Sequence, residues 1–363
     1  MIKKYPFYIR CTVILFFLIL LVYSLSNLKV VLIPLSFALM LAILLNPLVN
    51  RFQKWKLPRV LAIALSLLIA LILIAGIGYF LSTQISSLSD QLPLLKKKFL
   101  ELLQKAQSEI SHRYKLNMGR QNELINEAEK GMKPIVGQTL GTIAGLFEML
   151  LLIPLYSFLF LFYKTLILNF LYEIFAEKNS KEVGAILAQT KGAIQSYILG
   201  LLLETSIVAI LNSIALMILG VEYAILLGIL GAILNIIPLI GGILAVILPL
   251  LIATVTKDGF GIQVGIIIAT IVIQLIDDHF LMPFIVSSKV KINALISTIA
   301  VLLGGVAWGI FGMFLSIPFI GVLKIIFDRI PELKPWGKLL GNDVPTRHKG
   351  QIWNLRKKGI SKQ

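Results

Sequence analysis

The sequence predicts an all-α integral membrane protein with about six full spans, two broken helical hairpins and a soluble helical insert. Of its 363 residues, 58% are hydrophobic and 14% are charged, whereas an average soluble domain has about 25% charged residues. Mean hydropathy is +0.91, and several apolar runs approach the ~20 residues that a helix needs to cross a bilayer. These values exclude an ordinary soluble enzyme and a disordered chain.

Six apolar runs predict full spans, and a charged segment separates the third run from the fourth. We expect the first two spans to form a tight hairpin. In segment 82–137, charged residues alternate with leucines at helical spacing, which predicts an amphipathic, water-facing insert. The predicted organisation is three spans in 1–81, the extracytoplasmic insert in 82–137, a transport core in 138–327 and a basic tail in 328–363. The six runs are 11–27, 30–49, 60–81, 138–163, 201–219 and 261–276.

Two later apolar segments, 224–256 and 294–327, are interrupted by glycine and proline. Each half of the first is about 14 residues, or about 21 Å of helix, which is shorter than the ~30 Å hydrocarbon core. Each segment is therefore predicted to be a helical hairpin that either enters and leaves the membrane on the same side or crosses the membrane with a break in the helix. The interruptions are Asn235, Pro238, Gly241 and Gly242 in the first hairpin, and Gly304, Gly305, Gly309, Gly312 and Pro318 in the second.

The tip of the first hairpin is either a binding site or a tight turn that needs glycine and proline for steric reasons. Broken helices at membrane depth expose backbone groups that bind ions and polar solutes. Gly241 is expected to adopt backbone angles that favour glycine. The spacing of Gly305 and Gly309 predicts close helix packing.

The distribution of basic residues predicts that both termini are cytoplasmic. With that orientation, 23 of the 34 Lys and Arg residues lie on the cytoplasmic side, and the short outer loops carry only Lys29 and Lys257. The net charge of +16 then reflects topology and attraction to anionic lipid, and no nucleic-acid partner is expected.

Polar side chains within the apolar runs are the candidates for function, because they are costly at membrane depth. Asp277 follows Gln274 by three residues, which puts both on one helix face. Asp277 either binds H⁺ or Na⁺ or lies at a solvated helix end, as does Asp278. The remaining candidates, which alternatively have structural or interfacial roles, are Glu148, Glu204 and His279.

Several kinds of chemistry are excluded by missing motifs. The sequence has no phosphate-binding Gly-x-x-x-x-Gly-Lys-Ser/Thr loop, no His-Glu-x-x-His and no Gly-x-Ser-x-Gly. Its one cysteine, Cys11, forms neither an internal disulfide nor a thiolate metal site. We therefore expect no enzyme activity, no metal and no cofactor, and any uphill transport depends on an ion gradient or a partner.

Three segments in the order ILNIIPLIGGILAVILPLL, IQLIDDHFLMPFIVSSKVKINAL and LLGGVAWGIFGMFLSIPFIGVLKII resemble the bacterial autoinducer-2 exporter family. The family pattern is matched at Pro238–Gly241 and at Gln274, Asp277, Leu281 and Pro283, with His279 where Asn is common. Departures occur at Asn293 and Ala294, which replace a His-Pro pair, and at Leu199–Leu201, which replace Arg-Gly-Gln.

The resemblance implies an exporter in the bacterial inner membrane. Our first hypothesis is ion-coupled export of a small polar solute, such as a quorum-sensing autoinducer, with H⁺ or Na⁺ as the coupling ion. One alternative is a Na⁺/H⁺ antiporter, and another is a membrane scaffold that transports nothing. The expected partners are the lipid bilayer, the ion and the solute, and the expected assembly is a homo-oligomer.

Overall fold

The computed structural model describes residues 6–114, 151–175, 180–236, 241–257, 259–286 and 292–342. These ranges are helical apart from short turns and one isolated bridge between Ile292 and Gly341, so the predicted all-α class is confirmed. The helices are α1 (Phe7–Asn27), α2 (Lys29–Lys54), α3 (Arg59–Tyr114), α4 (described over Leu151–Phe162), α5 (Lys164–Phe175), α6 (Ser180–Ile218), α7 (Ala224–Asn235), α8 (Gly241–Thr256), α9 (Gly261–Ile276), a π-helix (Asp277–Val286), α10 (Ala294–Arg329) and α11 (Lys334–Leu340).

Six helices in the described ranges are long and apolar enough to cross a membrane. They are α1, α2, the first part of α3, α6, α9 with the start of the π-helix, and α10. Helices α4 and α5 together also pass this test, although they meet at a bend of 63°. Large apolar side chains are exposed along most of these helices, as expected for surfaces that face lipid.

The first two helices do not form the tight hairpin that the sequence suggested. One residue, Leu28, connects them, and its angles (φ −83°, ψ 8°) lie in the bridge region rather than in the α-helical region. The described side chains of α1 before Leu25 are all exposed. The connection is therefore a bend, and α1 does not pack along α2.

Two helices are longer than the predicted spans. Helix α3 continues from the third span as far as Tyr114, so at least 82–114 of the insert is helical. Helix α6 begins at Ser180, about 20 residues before the predicted fifth span. The charged residues between 180 and 200 suggested a loop, but they lie on the same continuous helix as the apolar residues that follow.

The first hairpin, formed by α7 and α8, has the predicted break after Asn235. Pro238 lies outside the described residues. A Cβ atom on Gly241 would overlap the carbonyl oxygen of Leu234, so the start of α8 lies directly against the end of α7. Gly241 does not have a positive φ. The expectation of unusual backbone angles was wrong, and close approach of the two helices is the reason for glycine here.

The second hairpin consists of the two halves of α10, residues 294–308 and 310–329. Gly309 between them has φ 62° and ψ −144°, a conformation that side chains other than glycine rarely adopt. The Ser316 hydroxyl donates to the Ala300 carbonyl at 2.8 Å, whereas 16 residues of straight helix would separate them by about 24 Å. Helix α10 therefore folds back on itself.

Gly304 and Gly312 make the closest contact between these halves. A Cβ atom on either glycine would overlap the carbonyl oxygen of the other. The prediction that Gly305 and Gly309 form the packing pair was therefore wrong. Gly309 forms the turn, and the side chain facing Gly305 is that of Met313.

The ends of both hairpins pack on one apolar cluster. Ile236, beside the break of the first hairpin, and Trp308, at the turn of the second, contact this cluster. Trp308 also donates its indole N–H to the Leu25 carbonyl at 2.9 Å. The cluster consists of Met40, Ile194, Tyr197, Leu201 and Leu315, from α2, α6 and α10.

We predict that Gly304→Ala lowers the melting temperature of the purified protein, because the new methyl group meets the backbone of Gly312. Overpacking of this kind costs about 1–3 kcal/mol. Gly78→Ala is the matched control, since nothing lies within 4 Å of a Cβ at that position of α3. Thermal unfolding in detergent measures both, and equal melting temperatures would contradict the close contact in the second hairpin.

Candidate functional site

Four elements meet at the break of the first hairpin: α6, the end of α7, the start of α8 and the junction of α9 with the π-helix. Three of them contribute to a small buried apolar cluster, with Val208 from α6, Ala232 from α7 and Ile273 from α9. The polar residues of the site lie next to this cluster. The sequence placed them far apart, and the fold brings them together.

Asp277 is the centre of the site. It is 2% exposed, and the Asn235 amide donates to its Oδ2 at 2.9 Å. Asn235 is the last residue of α7, so this hydrogen bond joins the break of the hairpin to the first residue of the π-helix. A buried carboxyl group needs such partners, because water does not replace them at membrane depth.

Glu204 from α6 supplies the second carboxyl group. It is 4% exposed, and its carboxyl group lies close enough to that of Asp277 for the two groups to interact electrostatically. Glu204 Oε2 and Asp277 Oδ1 are buried and lack any hydrogen-bond donor within the described part of the chain. We call Glu204 and Asp277 the carboxyl pair. Because an ionised carboxylate has no hydrogen to donate, a hydrogen bond within the pair requires one proton.

Glu204 lies in the middle part of α6, away from both helix ends, and is buried. The helix begins at Ser180, so Glu204 lies about 36 Å along it.

Gln274, which was predicted to share a helix face with Asp277, bonds to the acidic residue that follows Asp277. Its amide nitrogen donates to Asp278 Oδ1 at 3.2 Å, not to Asp277. Its Oε1 lies 3.6 Å from the position of a Cβ on Gly242, and Asn235 Oδ1 lies 3.9 Å from the same position. Two amide oxygens thus flank Gly242 at the start of α8, beside the carboxyl pair.

The segment that starts at Asp277 does not continue α9 as an α-helix. It is a π-helix that continues through Pro283 to Val286. Short π-helical segments are common at functional sites, although this one is unusually long. The wider helix carries Asp277 inward and leaves Asp278 exposed.

The other candidates do not join the pair. His279 is exposed, and its Nδ1 lies 3.1 Å from the Leu275 carbonyl oxygen in the preceding turn. Glu148 lies outside the described residues, as does Pro238. Across the described ranges, no group of three or more His, Cys, Asp or Glu side chains is arranged to hold a metal ion.

Tyr197 is a neighbour of the site that the sequence reasoning missed. It is 7% exposed and lies seven residues before Glu204 on α6, which is about two helical turns on the same face. Its ring packs against Phe314 of the second hairpin, with centroids 6.5 Å apart. The seven-residue spacing between Tyr197 and Glu204 could have indicated from the sequence that both lie on the same face of α6.

Comparison with known proteins agrees with this architecture. Residues 12–332 match a family described as AI-2E family transporter. A putative transport protein, YrrI, of Bacillus subtilis is 26% identical over 309 residues, covering 82% of this chain and 86% of the relative. A putative transport protein of Haemophilus influenzae is 25% identical, covering 86% of this chain and 90% of the relative.

A third relative is named AI-2 transport protein TqsA, from Escherichia coli, and is 26% identical over 308 residues, covering 82% of this chain and 86% of the relative. The family match extends over most of the chain and confirms the resemblance seen in the sequence. The chain belongs to the AI-2E family of multi-pass membrane transporters and is not an enzyme.

Proposed function

We propose that the protein is a proton-coupled secondary transporter that exports a small polar solute, such as a quorum-sensing autoinducer. The observation that supports this function is the buried carboxyl pair at the break of a membrane hairpin. Ionisable groups at membrane depth are typical of proton pathways in transporters. The sequence has no nucleotide-binding motif, so an ion gradient is the energy source that fits this chain.

The pair couples the proton to the hairpin through electrostatics. With one proton, the two carboxyl groups form a hydrogen bond, and Asn235 holds α7 against Asp277. Without the proton, two negatively charged carboxylates would face each other. At a separation of about 4 Å and an effective dielectric constant of about 20, their repulsion is about 4 kcal/mol. Loss of the proton therefore separates α6 from the π-helix and releases the break of the hairpin.

Solute binding follows from this separation. The amide oxygens of Asn235 and Gln274, which flank Gly242, become available to hydroxyl or other donor groups of a polar solute. Protons entering from the outer side close the site again, so the gradient drives export.

Na⁺/H⁺ antiport is the second proposal. The oxygens of Asn235, Gln274 and the carboxyl pair are hard donors, which suit alkali and alkaline-earth cations. In this case Na⁺ takes the place of the solute and the same proton is exchanged. The scaffold alternative receives no support from membership in a transporter family.

For topology, we propose a homo-oligomer in the bacterial inner membrane with both termini cytoplasmic and segment 82–137 outside. Helix α3 is about 84 Å long, so it extends well beyond a ~30 Å hydrocarbon core. The transport core is 138–327, between the three spans of 1–81 and the basic tail of 328–363. The uncovered apolar surface of α1 is available to lipid or to a second copy.

We predict that the carboxyl pair holds a proton at neutral pH. Infrared spectra should contain the C=O band of a protonated carboxylic acid that shifts in D₂O, and Glu204→Gln and Asp277→Asn should each remove it. The exposed Glu222 provides the control, because Glu222→Gln should leave the band unchanged. The same band in all four proteins would contradict a shared proton.

The transport prediction is that Asp277→Asn and Glu204→Gln reduce gradient-driven flux in proteoliposomes to background. The assay imposes a pH gradient and offers labelled autoinducer-2 or radioactive Na⁺ as alternative cargo. Flux of autoinducer-2 in the wild type supports export, whereas Na⁺ flux without organic solute supports antiport. Undiminished flux in both variants, with Glu222→Gln as control, would remove the pair from the mechanism.

Gly241→Leu should abolish transport while the protein still inserts into the membrane. The larger side chain overlaps the backbone of Leu234 and pushes α8 away from Asn235. Gly76→Leu serves as control, since nothing lies within 4 Å of a Cβ there. Transport and membrane content are measured together, and normal flux in Gly241→Leu would show that the hairpin break is not part of the mechanism.

A further inference from the structure

Three positively charged side chains gather away from the carboxyl pair, about 20 Å from Glu204 along α6. Arg59 begins α3, Lys164 begins α5, and Lys191 lies on α6. Arg59 and Lys191 are both close enough to repel the charge of Lys164. We call these three residues the basic cluster. None of them forms an ion pair with a carboxylate of another described residue, so the cluster is left without an anion from the described chain.

A buried amide group lies beside the cluster. Lys164 Nζ donates to Asn46 Oδ1 at 2.9 Å, which fixes the amide of Asn46 next to the ammonium group. Asn46 is 4% exposed, and its Nδ2 is buried without a hydrogen-bond partner among the residues that the structure describes. A buried donor without a partner is unfavourable, so an acceptor for this amide is missing beside Lys164.

Two contacts hold the guanidinium group of Arg59 in place. Its Nη2 donates to the Leu161 carbonyl at 3.1 Å, and its Cζ lies 5.7 Å from the centroid of the Phe162 ring. A guanidinium group has five N–H donors, and within the described ranges only the donor to Leu161 has an acceptor. The contacts with Leu161 and Phe162 hold the positive charge of Arg59 beside the bend between α4 and α5.

The surroundings of the cluster have the composition of a membrane interface. On one side lies an apolar core that includes Leu45, Ile63 and Leu161. Nearby, Trp55 is 63% exposed, and Arg51 lies 5.9 Å from the centroid of its ring. Exposed tryptophan beside basic residues is typical of the membrane interface.

We propose that the basic cluster, together with the Asn46 amide, binds a phosphate group, namely that of an anionic phospholipid from the surrounding leaflet. Phosphate oxygens accept hydrogen bonds and carry the charge that three cations require. The site does not depend on the proposed transport mechanism. Free phosphate has the same chemistry, and the experiment separates the two sources.

The test measures the melting temperature of the full-length protein in detergent as phosphatidylglycerol or phosphatidylcholine is added. We expect phosphatidylglycerol alone to raise the melting temperature of the wild type. Lys164→Gln and Arg59→Gln should each require about fivefold more phosphatidylglycerol for the same shift, which corresponds to about 1 kcal/mol per cation near an anionic lipid surface. Lys29→Gln is the matched control, because Lys29 is exposed at the opposite end of α2.

A second variant is expected to raise the melting temperature, which a misfolded protein would not do. Asn46→Asp places a carboxylate beside Lys164, so it should raise the melting temperature without lipid and remove the response to phosphatidylglycerol. A parallel titration with inorganic phosphate identifies the source: a shift at millimolar phosphate that prevents the lipid effect assigns the site to free phosphate. Equal lipid responses in the wild type, Lys164→Gln, Arg59→Gln and Asn46→Asp would overturn the proposal.

Discussion

The contact of the Asp277 carboxyl group with Asn235 and Glu204 is the interaction on which the rest of the structure depends. It joins the broken end of a hairpin, a long membrane helix and a π-helix at one buried point. A polar group at this depth has no water to replace a lost partner. The positions of α6, α7 and the π-helix are therefore set together, and a change in one carboxyl group affects all three.

Glycine makes this arrangement possible in both hairpins, for two different reasons. Gly241, Gly304 and Gly312 remove side chains where helices touch backbone to backbone. Gly309 instead supplies a positive φ at the turn. Close approach at these contacts keeps the halves of each hairpin together, because lipid tails provide no hydrophobic force between helices. The two hairpins consequently meet α6 as packed units rather than as separate helices.

Most of the fold could be predicted from the sequence, because apolar length and broken runs follow directly from bilayer thickness. The partners within the site could not. Glu204 and Asp277 are far apart in sequence, and no local spacing connects them. The shared helix face predicted for Gln274 and Asp277 did not indicate that the Gln274 amide bonds to Asp278, four residues on. The start of α6 was missed because charged residues on a long helix resemble a loop when only charge is considered.

Helix α6 connects the two polar regions of the protein. Lys191, in the basic cluster, and Glu204, in the carboxyl pair, are separated by about 20 Å along the same helix. Helices α2 to α5 hold the basic cluster through Asn46, Arg59 and the bend before Lys164. An anion bound there would fix one end of α6 to these helices by neutralising mutual repulsion. The other end would remain free to respond to the proton on Glu204, so movement would be confined to the hairpin side of the molecule.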